Sequence, residues 1–150
     1  MTHDATAGRM TATNVQKAAA AVGAVFLLVG ILGFVPGITT DIYPLEFAGH
    51  HGEAQLLGIF AISVLHNLVH LLFGVAGLAM ARSFSGARAF LIGGGAIYLV
   101  LWLYGLVIDK DSSANFVPLN TADDWLHFVL GIGMLALGFL LGKRTADVRR

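Results

Sequence analysis

Residues 57–81 read LGIFAISVLHNLVHLLFGVAGLAMA, an apolar stretch that contains no Asp, Glu, Lys or Arg. Three further stretches of the same character occupy residues 18–35, 89–108 and 125–142. A helix needs about 20 mostly apolar residues to cross the hydrocarbon core of a bilayer, and each stretch is about that long. The sequence therefore predicts an all-α fold, an integral membrane four-helix transmembrane bundle that occupies residues 18–142.

The composition agrees with a membrane location. Apolar residues make up 57% of the 150 residues and charged residues only 12%. A soluble domain carries about 25% charged residues, so we expect most of this surface to face the lipid bilayer. The chain has no cysteine, which excludes disulfides and thiolate metal sites.

The sequence shows neither the basic patch of a nucleic-acid-binding protein nor a catalytic motif. The basic residues are dispersed, so we expect no nucleic-acid partner. We see no nucleophile paired with a base and no phosphate-binding loop, and we therefore do not expect an enzyme. Besides the bilayer, the partners that the sequence leaves open are a second copy of the chain, in a homo-oligomer, and a membrane complex in which the protein is an accessory subunit.

The charges are sorted between the two sides of a four-pass topology. Eight of the nine Lys and Arg residues precede helix 1, separate helices 2 and 3, or follow helix 4. The opposite side holds Lys110 and seven of the nine acidic residues. Because cytoplasmic loops carry the excess of Lys and Arg, both termini are predicted to be cytoplasmic. We expect residues 1–17 to form a disordered cytoplasmic tail and residues 143–150 a basic one.

The chain has the pattern of an internal duplication. Helices 1–2 and helices 3–4 are hairpins of the same topology, as expected for a parallel repeat. An offset of 57 residues aligns NLVHLLFG at 67–74 with DWLHFVLG at 124–131. An offset of 61 residues instead aligns LH at 65–66 with LH at 126–127. The sequence leaves the choice between these registers open.

Polar residues fall on one face of helix 2 and on one face of helix 4 when each residue turns the helix by 100°. Facing lipid, such groups would lack hydrogen-bond partners at a cost of several kcal/mol. We therefore expect the two faces to point at each other in the outer half of the membrane. Counted from the basic residues at the cytoplasmic ends, His66 and His127 lie at the same depth. The predicted cluster consists of Ser63, His66, Asn67, His70, Asn120, Asp124 and His127.

Three roles are open for this cluster. Neutral imidazole binds divalent metals and haem iron, so His66, His70 and His127 are candidate ligands of a metal ion or a haem. Titrating histidines could also couple proton movement to transport by a small-molecule carrier. Buried polar groups equally well fix the register of neighbouring helices. We favour a non-enzymatic membrane protein in which the cluster is structural or binds a small ligand.

The start of helix 4 carries a capping signal. Thr121-x-x-Asp124 has the spacing of a capping box, although Asp replaces the usual Glu or Gln. The spacing predicts that Asp124 caps helix 4.

Two segments resemble the signature of a known family. They are GIF at 58–60 followed by LHNLVHLLFG at 65–74, and LNTADDWLH at 119–127. The chain is similar over residues 15–142 to the membrane proteins grouped as domain of unknown function 4383. The resemblance implies a small four-helix bacterial protein, mainly of actinobacteria, in the plasma membrane. It implies no activity and no cofactor, because the family has none assigned.

Overall fold

The computed structural model describes residues 12–143, which form four helices and one small sheet. The fold is the all-α membrane bundle that the sequence predicts. The outer parts of both predicted tails, residues 1–11 and 144–150, lie outside the described residues. The helices are α1 (Asn14–Leu32), α2 (Val64–Met80), α3 (Phe84–Val107) and α4 (Thr121–Leu140), and the strands are β1 (Thr39–Thr40), β2 (Gln55–Leu56) and β3 (Phe60–Ala61).

Three of the helices described here, α1, α3 and α4, are long and apolar enough to cross a membrane. Helix α2 is apolar but has only 17 residues, which gives a length of about 26 Å against a hydrocarbon core of about 30 Å. Helix α1 begins at Asn14, four residues before the predicted boundary. Large apolar side chains cover the outside of the bundle, which is the surface expected to face lipid.

Helix α2 begins seven residues later than predicted. Leu57 and Gly58 have positive φ angles, 57° and 67°, and form a turn rather than helix. Ser63 then ends the extended segment, because its Oγ accepts a hydrogen bond from the His66 N–H at 3.1 Å and caps α2. His66 therefore lies in the first turn of the helix.

The segment between α1 and α2 forms a three-stranded antiparallel sheet in the order β1-β2-β3. Buried Leu56 and Ile62 pack with Val29 and Leu32 of α1. The sequence gives no sign of this sheet, because strands of two residues are too short to show a period-2 pattern. The sheet covers the end of the bundle at which α1 stops and α2 begins.

Glycines bring the helices of each hairpin into backbone contact. A Cβ atom at Gly23 of α1 would lie 3.0 Å from the carbonyl oxygen of Gly74 in α2. A Cβ atom at Gly95 of α3 would lie 2.8 Å from the carbonyl oxygen of Gly131 in α4. Such close helix contacts need small residues.

These contacts repeat between the hairpins. The glycine contacts favour the offset of 57 between α2 and α4, which aligns Gly74 with Gly131. Between α1 and α3 the corresponding offset is 72, which aligns Gly23 with Gly95. Phe26 of α1 stacks on Tyr98 of α3 in the middle of the bundle, with ring centroids 5.5 Å apart and planes inclined by 28°. These two rings occupy equivalent places in the two repeats, so the pseudo-two-fold axis of a parallel repeat passes between the hairpins here.

Candidate functional site

The two equivalent helices α2 and α4 start in the same way. Ser63 caps α2, and Asn120 caps α4 by accepting a hydrogen bond from the Asp123 N–H at 3.0 Å. His70 and His127 follow their caps at the same spacing and are equivalent in the repeat. This equivalence pairs His127 with His70, whereas the depth counted from the basic residues at the cytoplasmic ends pairs His127 with His66. The position equivalent to His66 is held by Asp123.

The three histidines, His66, His70 and His127, are buried and do not face lipid. The rings of His66 and His70 lie 4.5 Å apart between centroids. His70 packs on Phe26 at 5.6 Å, and His127 packs on Tyr98 at 5.1 Å. Each repeat thus places one histidine against one ring of the central stacked pair. Phe26 was missed in the sequence, where it reads as an ordinary apolar residue of helix 1.

One hydrogen bond fixes the state of His70. Its Nδ1 donates to the carbonyl oxygen of His66 at 3.0 Å. A carbonyl oxygen can only accept, so the proton of the neutral ring is on Nδ1 and Nε2 is an acceptor.

All three histidines line two cavities between α2 and α4. The cavity on the side of α3, here the α3-side cavity, has a volume of about 130 Å³. The cavity on the side of α1, here the α1-side cavity, has a volume of about 230 Å³. The structure thus places the histidines of α2 and α4 against the same two cavities, whereas Ser63, Asn120 and Asp124 of the predicted cluster line neither. Equivalent residues line the two cavities: Val69 and Leu101 on the α3 side, and Leu126 and Val29 on the α1 side.

Three residues that line the α1-side cavity each carry a buried nitrogen atom that has no hydrogen-bond partner among the described residues. These atoms are His66 Nδ1, His127 Nδ1 and Asn67 Nδ2. Asn67 is only 2% exposed and lies directly against Gly33 of α1. A buried polar group without a partner costs about 1–3 kcal/mol. The residues around the cavity therefore have hydrogen-bonding capacity that the protein itself does not use.

Asn120 and Asp123, and not Thr121 and Asp124, form the capping box of α4. Asp123 Oδ2 accepts hydrogen bonds from the Asn120 N–H at 2.9 Å and from the Ala61 N–H of β3 at 3.0 Å. Asn120 Nδ2 donates to the carbonyl oxygen of Ile59 at 2.7 Å. The predicted capping box is wrong by one residue, because Asn120 has the extended backbone that an N-cap requires. The cap also fastens the sheet to the start of α4.

Asp124 instead forms an ion pair with Lys110. The Lys110 Nζ donates to both carboxylate oxygens, at 2.9 and 2.8 Å. The pair lies over Gly105 of α3, where any Cβ atom would collide with the carboxylate. In the first repeat Asn67 and Gly33 take the places of Asp124 and Gly105. Lys110 was not among the predicted site residues, although it is the only basic residue on its side in the predicted topology.

The predicted metal or haem site has no counterpart in the geometry. In residues 12–143 no three His, Cys, Asp or Glu side chains form a group that could hold a metal ion. Pockets for drug-sized ligands measure about 300–1,000 Å³. The cavities of about 130 and 230 Å³ are smaller, and a porphyrin does not fit in either.

A comparison with protein families gives one match. The family model described as Domain of unknown function (DUF4383) matches residues 16–140. This is most of the chain, so the protein belongs to that family, as the sequence motifs predict. No curated protein and no solved structure matches the chain.

Proposed function

We propose that this member of the DUF4383 family is a non-enzymatic membrane protein that binds a small molecule in the α1-side cavity. The observation that carries the proposal is the set of three unpartnered nitrogen atoms there, on His66, Asn67 and His127. A ligand with matching hydrogen-bonding groups would remove a penalty of about 1–3 kcal/mol for each nitrogen that it reaches. In a bilayer core there is no bulk water to do the same.

The carboxylates of Asp123 and Asp124 already have partners within the protein, which favours ligand binding over catalysis at this site. Asp123 is occupied by the cap of α4 and by the N–H of β3. Asp124 is occupied by Lys110. The groups left free at the cavity are an amide N–H and neutral ring nitrogens, which can hold a ligand in one orientation.

We propose the orientation in the membrane that the distribution of Lys and Arg predicts. Arg82, in the α2–α3 turn, and Arg88, near the start of α3, lie at the end of α2 opposite the histidines. Since basic segments stay in the cytoplasm, both termini are cytoplasmic and the cavities open in the outer leaflet of a bacterial plasma membrane.

The proposal is tested with 4-fluorophenol, a small ring that can both donate and accept a hydrogen bond. Fluorine NMR of the purified protein in detergent should show saturable binding. His127→Phe keeps an aromatic ring on Tyr98 but removes both ring nitrogens, and it should abolish most of this binding. The control Phe139→Leu changes an exposed side chain at the other end of α4 and should bind like the wild type.

The result that would overturn the proposal is equal binding by all three proteins, or no saturable binding by any. Asn67→Leu provides a second test in case His127→Phe fails to fold, because leucine has a similar shape to asparagine but no amide group. Thermal unfolding in detergent shows which variants are folded.

A further inference from the structure

The rim of the α1-side cavity is apolar and exposed. Leu57, in the turn before β3, is 61% exposed, and Leu126, in the second turn of α4, is 37% exposed. Both line the cavity. Leu126 lies on the helical surface of the bundle, which is covered by apolar side chains, so the side of the cavity at Leu126 adjoins hydrocarbon.

The end of the cavity that would face water is closed by the sheet. Leu56 of β2 and Phe60 of β3 line the cavity. The hydrogen bonds from Ala61 to Asp123 and from Asn120 to the Ile59 carbonyl hold this cover on α4. A ligand that approached the histidines from the side of Leu126 would come through the bilayer and would be soluble in lipid.

The polar atoms restrict the charge of the ligand. Asn67 Nδ2 is a donor and requires an acceptor on the ligand. An anion would meet the carboxyl group of Asp123, and the Lys110 charge is already paired with Asp124. A cation would have to leave water for a mostly apolar cavity, where the Asp123 carboxylate already accepts two backbone hydrogen bonds. A neutral molecule with carbonyl oxygens satisfies both conditions.

The volume of the cavity and the number of unpartnered nitrogen atoms around it restrict the shape of the ligand. A volume of about 230 Å³ holds a small ring head but not a large polycyclic body. A ring with two carbonyl groups can accept from Asn67 Nδ2 and from His66 or His127 when that histidine carries its proton on Nδ1. A hydrocarbon tail would leave past Leu126 into the lipid.

We propose that the α1-side cavity binds the ring head of a neutral, lipid-soluble molecule of the quinone class, which enters from the bilayer past Leu126. This rests on the proposed function and assigns its ligand class.

The test compares duroquinone with durene, which has a similar methylated ring but no carbonyl oxygens. Calorimetric titration of the full-length protein in detergent should show that duroquinone binds and that durene binds more weakly. Infrared difference spectra should show the carbonyl stretch of bound duroquinone at lower frequency, as expected for an accepted hydrogen bond. Asn67→Leu should weaken duroquinone binding roughly three- to tenfold, the effect of one hydrogen bond, and leave durene binding unchanged.

The entry route has a matched pair of variants on α4. Leu126→Trp narrows the rim and should slow or weaken duroquinone binding. Ile132→Trp places the same side chain at a position that is 49% exposed and lines neither cavity, and it should have no effect.

The outcomes separate this inference from the proposal on which it rests. If 4-fluorophenol binds but duroquinone does not, or if duroquinone and durene bind equally in wild type and Asn67→Leu, the quinone assignment is wrong and the cavity remains a binding site. If 4-fluorophenol shows no saturable binding, the proposed function fails and the quinone assignment fails with it. Equal effects of the two tryptophan variants would contradict entry past Leu126.

Discussion

Alanine at two glycines of α3 should change stability in opposite directions. Gly95 lies against α4, and a Cβ atom there would come within 2.8 Å of the Gly131 carbonyl oxygen and 2.9 Å of the Leu135 backbone nitrogen. Both are main-chain atoms and cannot move aside by a change of rotamer. Gly93, two residues earlier on the same helix, has nothing within 4 Å of its Cβ position. The two substitutions add the same methyl group to the same helix and differ only in what it meets.

The expected magnitudes follow from these contacts. Gly93→Ala gains the helix propensity of alanine over glycine, about 1 kcal/mol, and should stabilise the protein by up to that amount. Gly95→Ala has the same gain but must separate α3 from α4, and overpacking of this kind costs about 1–3 kcal/mol. The free energies of unfolding of the two variants should therefore differ by about 2 kcal/mol, with Gly95→Ala the less stable.

The assay is reversible unfolding in detergent, followed by circular dichroism. Because Gly23 occupies the equivalent position in the first repeat, Gly23→Ala should behave like Gly95→Ala. If Gly95→Ala and Gly93→Ala were equally stable, the glycines would not be helix contacts, and the close pairing of α3 with α4 would be refuted.

Three further outcomes are expected. Lys110→Met leaves the buried Asp124 carboxylate unpaired and should lower the free energy of unfolding by about 2 kcal/mol. This is less than the ~3–5 kcal/mol expected for a fully buried pair, because Lys110 is 31% exposed. Adding Asp124→Asn should recover most of the loss, and a double variant no more stable than Lys110→Met would refute the pairing. Asn120→Ala should cost about 1 kcal/mol as a lost N-cap, whereas a larger cost for Thr121→Ala would restore the box that the sequence predicts. A membrane-impermeant thiol reagent applied to intact cells should label a cysteine placed at His50 but not one placed in the α2–α3 turn, and the opposite pattern would reverse the topology.

The number of helices was predictable from the sequence because apolar length alone decides it. The start of α2 was not, since the apolar run continues through the turn at Leu57 and through β3 without a change in composition. Only the positive φ angles and the cap at Ser63 show where the helix begins. The repeat register was ambiguous because two Leu-His pairs align at the offset of 61, while the glycine contacts that favour 57 exist only in three dimensions.

The shared face of His66, Asn67 and His70 on α2 was predictable, and so was the place of His127 on the polar face of α4. Helical geometry fixes which residues of one helix lie on the same face. Phe26 and Lys110 were missed because their places depend on how α1 and the α3–α4 connection pack. The role of Asp124 was wrong because two overlapping boxes, one starting at Asn120 and one at Thr121, have the same spacing. The side-chain partners distinguish them, and the sequence does not record those partners.

The central claim is that a ligand occupies the α1-side cavity and satisfies nitrogen atoms that the protein leaves free. The most direct measurement is a high-resolution density map of the protein purified with its native lipids. The account predicts non-protein density in this cavity within hydrogen-bond distance of Asn67 Nδ2 and His127 Nδ1. A collapsed cavity in which both nitrogen atoms bind groups of the protein itself would contradict it.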